Sequence, residues 1–156
     1  MSAYLPGVLE RLMGEGSAGS GRAGLEQLKD SIVRDLDALL NTRLGVAGDA
    51  FDAHPEARAS ILNYGLVDFA GFCLSSSEDR AAICASLKDA IERHEPRLTG
   101  VSAVLEPGAG GVNRLQFVIN ATLRVAGGEQ PVNFNAVLQP SSLHVAISKG
   151  GRMPRP

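Results

Sequence analysis

The chain has no tryptophan, and aromatic residues fill only 4% of its 156 positions. Platforms on which bases or sugar rings could stack are therefore scarce. No excess of charge stands out either, since the formal net charge is -2. That balance leaves no basic field to recruit nucleic acid or an anionic membrane surface. Cysteine is limited to Cys73 and Cys84, which form no C-x-x-C pair and have no second pair to complete a zinc site. Both are expected to be reduced and half-buried. The three histidines, His54, His94 and His144, stand in separate segments without H-x-x-x-H spacing. No apolar run approaches the roughly 20 residues that span a bilayer, so no membrane insertion is expected. The opening Met1 to Pro6 lacks a basic region followed by an apolar core, which points to cytoplasmic residence.

Signatures of chemistry are equally thin. There is no G-x-S-x-G elbow. Gly108, Gly110 and Gly111 lead into a strand rather than a helix, and no Gly-Lys-Ser/Thr follows, which argues against a phosphate cradle. Asp35, Asp37, Asp68 and Glu95 could pair across a cleft, as a glycosidase requires. The shortage of aromatics weighs against a sugar site. No catalytic residue, metal or cofactor is expected.

What the chain does contain is a clear change of period. Hydrophobic residues make up 44%, enough for one core. Residues 1–24 read as a leader, with a short amphipathic helix over 4–13 and a Gly/Ser-rich linker behind it. Residues 25–43 read as a helix, because Leu25, Leu28, Ile32, Leu36, Leu39 and Leu40 recur at steps of three and four. Gly45 is the expected C-cap. A short helix is expected over 57–63, stopped by Asn63, Tyr64 and Gly65, with an irregular buried connection over 67–74. Ser75 and Glu78 have capping-box spacing and open a helix over 77–94, which Pro96 ends.

Beyond Pro96 the period becomes two. Val101, Ala103 and Leu105, then Leu115 to Leu123, then Val132 to Leu138, and finally Leu143, Val145 and Ile147 alternate with polar neighbours across Gly/Pro turns. The pattern predicts α+β: N-terminal helices packed on one face of a mainly antiparallel C-terminal sheet of about four strands. The domain should span 25–149, with residues 150–156 as a basic tail.

One corner stands out. Proline cannot continue a helix and pushes its predecessor toward extended backbone. Glu95-Pro96-Arg97 thus places an acid and a planar fork of donors on a stiff bend between helix and strand. The bend is open to two readings, a docking point for another protein or an internal Glu–Arg pair that fixes the corner.

Four patterns occur in order: Leu39-Leu40-Asn41-Thr42-Arg43; Ser60 through Asn63-Tyr64-Gly65-Leu66 to Asp68 and Gly71; Glu95-Pro96-Arg97-Leu98; and Phe134 with Val137-Leu138. Together they resemble the TssE family of type VI secretion baseplate subunits, itself similar to the tail-lysozyme-like wedge proteins of contractile phages. The likeness covers roughly residues 4–149. It implies a structural part and not an enzyme, a wedge subunit linking the wedge core to the first sheath ring and helping sheath assembly to start. The implied partners are TssF- and TssG-like wedge subunits and TssB/TssC-like sheath proteins, in a baseplate docked at the inner membrane complex. It assigns Glu95, Pro96 and Arg97 to the wedge core. The family's sheet resembles a sheath fold in which neighbours exchange strands, which makes Leu143, Val145 and Ile147 the candidate edge for strand addition. Asn41, Arg43, Asn63, Tyr64, Gly65 and Asp68 are motif residues with open roles: Arg43 as a helix C-terminal charge or a partner contact, Asn63 to Gly65 as a helix stop. His94 stands where the family carries an aromatic or apolar residue, which implies looser packing under the corner. A peptidoglycan hydrolase and a stand-alone adaptor binding through a strand edge are the alternative functions.

Overall fold

A computed structural model describes Leu12 and residues 22–106 and 114–151. The expected leader helix apart from Leu12, most of its linker, the Pro107–Gly111 turn and nearly all of the tail lie outside these residues. Helix α1 spans Arg22–Asn41, a short helix α2 spans Pro55–Arg58, and α3 spans Ser77–His94. Four strands follow, β1 Leu98–Leu105, β2 Leu115–Val125, β3 Gly128–Gln139 and β4 His144–Lys149. They pair antiparallel in the order β1-β2-β3-β4. The architecture is the α+β arrangement that the change of period implies. Among the described residues no helix is long and apolar enough to cross a membrane.

Helices α1 and α3 lie side by side on one face of the sheet, α1 against β4 and α3 against β1. Ile32, Leu36 and Leu40 of α1 and Leu87 and Ile91 of α3 meet Phe117, Ile119 and Phe134 of the central strands, all almost wholly buried. Leu98 and Val101 both point inward although they are three residues apart. A period of two forbids that unless one residue is added, and the register shifts between Thr99 and Ser102, where Gly100 has φ 59°. Pro131 is tolerated inside β3 because β4 covers only Phe134–Gln139 of that strand, so its missing N–H lies on an open side.

Several local expectations are corrected. Helix α1 stops at Asn41, not at a Gly45 cap. Side chains replace the glycine: Asn41 Nδ2 donates to Asp37 O (2.9 Å), Thr42 Oγ1 to Ala38 O (2.7 Å) and an Arg43 guanidinium nitrogen to Leu40 O (2.9 Å). The cap of α3 is Ser76, whose hydroxyl accepts from Asp79 N–H at 3.3 Å, one residue later than the Ser75/Glu78 box. The 57–63 segment is split into α2 and a 3-10 turn over Ile61–Asn63, with Ser60 as the latter's cap. In the 67–74 connection Phe69 is buried while Val67, Asp68 and Gly71 are exposed. Cys73 is exposed rather than half-buried, Cys84 is intermediate, and both are free thiols.

Candidate docking site

The helix-to-strand corner is an ionic knot. Glu95 is buried at 4% exposure, and Arg97 meets both of its oxygens, Nε to Oε1 and Nη2 to Oε2, each at 2.7 Å. This is the bidentate geometry that suits a guanidinium. The same Nη2 reaches Asp35 Oδ2 on α1, and Nη1 reaches Ser31 Oγ at 3.3 Å. The backbone joins in: Arg97 N–H donates to Glu95 Oε1 (3.2 Å) and Arg97 O accepts from Arg124 N–H (2.9 Å). Burial alone would lower the Arg97 pKa, but Glu95 and Asp35 together hold it above its ordinary value. Pro96, between the two charged residues, is exposed. The internal pair is therefore real, and the corner presents outward mainly Pro96 and part of Arg97.

Under the corner runs a strap, Asn63 to Leu66. Leu66 N–H donates to Thr42 O (2.8 Å) and Leu44 N–H to Leu66 O (2.9 Å), a parallel bridge to the end of α1. Gly65 makes this approach possible: its φ is 122°, and a Cβ there would lie 2.6 Å from Thr42 O. Asn63 is buried and its Nδ2 donates to Arg58 O (2.9 Å), but its backbone is not left-handed, so of the expected stop residues Gly65 alone supplies that geometry. His94 does not loosen the packing. Its Nε2 donates to Asn63 O at 2.9 Å and its ring meets Tyr64 edge-on at 5.2 Å. Because a carbonyl only accepts, that nitrogen carries a proton. The Tyr64 phenol is half-buried; burial, then Asp35 and Glu95, push its pKa up. Asp68 Oδ1 accepts from Ala70 N–H at 3.0 Å, an exposed local turn.

The sheet margin is the second region. Leu143 lies outside β4, in the preceding turn with φ 55°, so the strand begins one residue later than the alternation implies. Val145 is buried and Ile147 is half-buried, so both side chains face the core. The backbone of Val145 is not unpaired. Asn41 Nδ2 donates to Val145 O and Asn41 Oδ1 accepts from Val145 N–H, both at 2.9 Å. Arg43 reaches Leu143 O. At the far end Lys149 Nζ meets Asp30 Oδ1 (2.7 Å) and Glu26 Oε2 (3.2 Å) of α1.

Of the candidate carboxylates, Asp35 and Glu95 come together, but around one guanidinium that takes up both. Asp37 contacts Asn41 and Asp68 caps its own turn. Sequence reasoning missed Ser31, and it put Asp35 beside Glu95 only as one of several possible carboxylate pairs, not as a partner of Arg97. The spacing of four between Ser31 and Asp35 on one flank of the apolar stripe was the available signal, since such residues share a helix face.

Residues 26–127 match the family model described as baseplate wedge protein gp25. No curated protein matches the chain. A solved chain from "The baseplate complex from the type VI secretion system" has the same fold at a TM-score of 0.50 and 17% identity, with 73% of this chain and 96% of that chain covered.

Proposed function

The chain belongs to the gp25 family of baseplate wedge proteins, and on that premise we propose that it serves in a type VI secretion baseplate, tying the wedge core to the first ring of the contractile sheath. The proposed partners are TssF- and TssG-like wedge subunits at the Glu95-Pro96-Arg97 corner and TssB/TssC-like sheath proteins at the β4 edge, with the baseplate docked at the inner membrane complex and no catalytic turnover. The observation that carries this reading is the span of the family match, which takes in α1, the strap, α3, the corner and the β1–β2 hairpin. The fold likeness to a type VI baseplate chain supports it. The corner residues differ in what they can offer a partner. Glu95, Asp35 and Ser31 bond Arg97 from within the fold, and the exposed Pro96 with the outer flank of Arg97 is the surface proposed for the wedge core.

Pro96→Glu tests docking apart from folding, because Pro96 is exposed and makes none of the knot's side-chain bonds. In co-purification with wedge-core subunits, the variant is expected to keep the wild-type circular dichroism spectrum and to lose at least most of the recovered partner. Full recovery of the wedge core by this variant would remove the corner from the interface.

A further inference from the structure

We infer that Asn41 guards the sheet margin: its carboxamide stands in for a neighbouring strand at Val145 and confines the addition of an extended segment from another chain to Ile147–Lys149. The inference deepens the proposed sheath contact and rests on that reading for the identity of the incoming chain.

In an antiparallel ladder, successive residues of a strand direct their backbone groups alternately to one side and the other. Gly150 N–H donates to Asn133 O at 2.9 Å, and the register continues through Asn135↔Ser148, Val137↔Ala146 and Gln139↔His144. His144, Ala146 and Ser148 therefore bond to β3, and Val145, Ile147 and Lys149 turn theirs outward. An outward row of this kind is a template for another strand. At Val145 the template is already filled. A carboxamide carries the same donor and acceptor as a peptide unit, and Asn41 uses both on one residue, as a paired strand would. The side chain is held in place by its further donation to Asp37 O. Arg43 covers Leu143 O, one step earlier.

The margin beyond is different. The bonds of Asn41 and Arg43 end at Val145 and Leu143, and those of Lys149 go to α1, so none of these three side chains takes up the outward backbone groups of Ile147. Lysine often blocks an edge, but Lys149 is drawn onto Asp30 and Glu26 of α1. An incoming strand thus has a defined place, opposite Ile147 and Lys149, and a defined stop, the Asn41 carboxamide. The same stop keeps two copies of this chain from pairing along the whole of β4.

The test uses the full chain and two readouts. Asn41→Ala is expected to speed hydrogen exchange of the Val145 amide by about tenfold, the order of one lost hydrogen bond. It should also raise the weight-average mass above the wild type's as concentration increases. Asn41→Asp keeps the acceptor for Val145 N–H but cannot donate to Val145 O, and should give a smaller rise. Equal mass for folded Asn41→Ala and wild type across the same concentrations overturns the guard; should that variant not fold, equal mass for Asn41→Asp does so. The sheath reading is judged separately with Ile147→Pro, which removes an outward N–H and leaves the bonds to β3 in place. Unchanged recovery of sheath subunits by that variant overturns the sheath contact and leaves the mass result to decide the guard.

Discussion

Two of the polar ties that hold helix α1 to the sheet region have opposite chemistry. At the corner, Ser31 and Asp35 meet Arg97, whose guanidinium is also clamped by Glu95. At the β4 margin, Asn41 meets the backbone of Val145 with an uncharged amide. The corner is a knot of charge: each member is needed because removing one leaves another poorly solvated. The margin is an imitation of a strand, and a real strand can offer the same bonds. A rigid bend suits a partner that docks on a fixed shape, and a replaceable contact suits one that joins the sheet. The difference also predicts how each tie fails.

The largest effect should come from the corner. Glu95→Ala leaves Arg97 without its bidentate acceptor in a half-buried site, a loss of roughly 3 kcal/mol in urea unfolding. Glu95→Gln, which keeps shape and one acceptor, should lose less. If Glu95→Ala unfolds at the wild-type urea concentration, the corner is no stronger than the margin and the contrast is gone.

Between the two ties lies the strap, and Gly65 is its weak point. Gly65→Ala sets a Cβ 2.6 Å from Thr42 O on a backbone with φ 122°. Both the contact and the dihedral are unfavourable, and the expected loss is about 2 kcal/mol. Because Thr42 lies between Asn41 and Arg43, the damage should spread to the margin and raise exchange at Val145 while leaving the Glu95–Arg97 pair formed. Proton NMR of the Arg97 Nε–H and the Val145 amide would separate the two; equal loss at both sites would mean that the ties are not independent.

The parts of this arrangement that follow a period were legible in the sequence. Apolar steps of three and four set α1, and alternation set β2 and β3, because burial on one face imposes those spacings. Glu95 and Arg97 could be read as a pair on a stiff corner from Pro96 alone. What escaped was long-range and polar. Asn41 pairs with Val145 across 104 positions, and a lone asparagine after a leucine stripe carries no mark of its partner. The extra residue at Gly100 was likewise hidden, since Val101, Ala103 and Leu105 alternate well without Leu98. Caps were misplaced by one residue at Ser75/Ser76 because consecutive serines are chemically equivalent until the backbone chooses one. The absence of a glycine cap at Gly45 follows from three side chains, Asn41, Thr42 and Arg43, each of which turns back on the helix.

The smallest effect belongs to the far end of the margin, and it turns on pH. Hydrogen bonds from Lys149 and then Lys29 lower the Glu26 pKa from its ordinary 4.5, and Asp30 and Glu26 raise that of Lys149. A carboxylate with a depressed folded pKa adds stability that is fully present above the unfolded value and is lost as pH falls through the folded one. The contribution of Glu26 should therefore be complete above about pH 4.5 and vanish in more acidic solution. The group is exposed, so salt screens it and the gain is small. Glu26→Gln should lower stability in urea unfolding slightly at neutral pH, with the difference from wild type disappearing at low pH and in 1 M salt. A difference that survives both conditions would show that Glu26 holds α1 to β4 by packing rather than by charge, and would make the far end of the margin resemble neither tie.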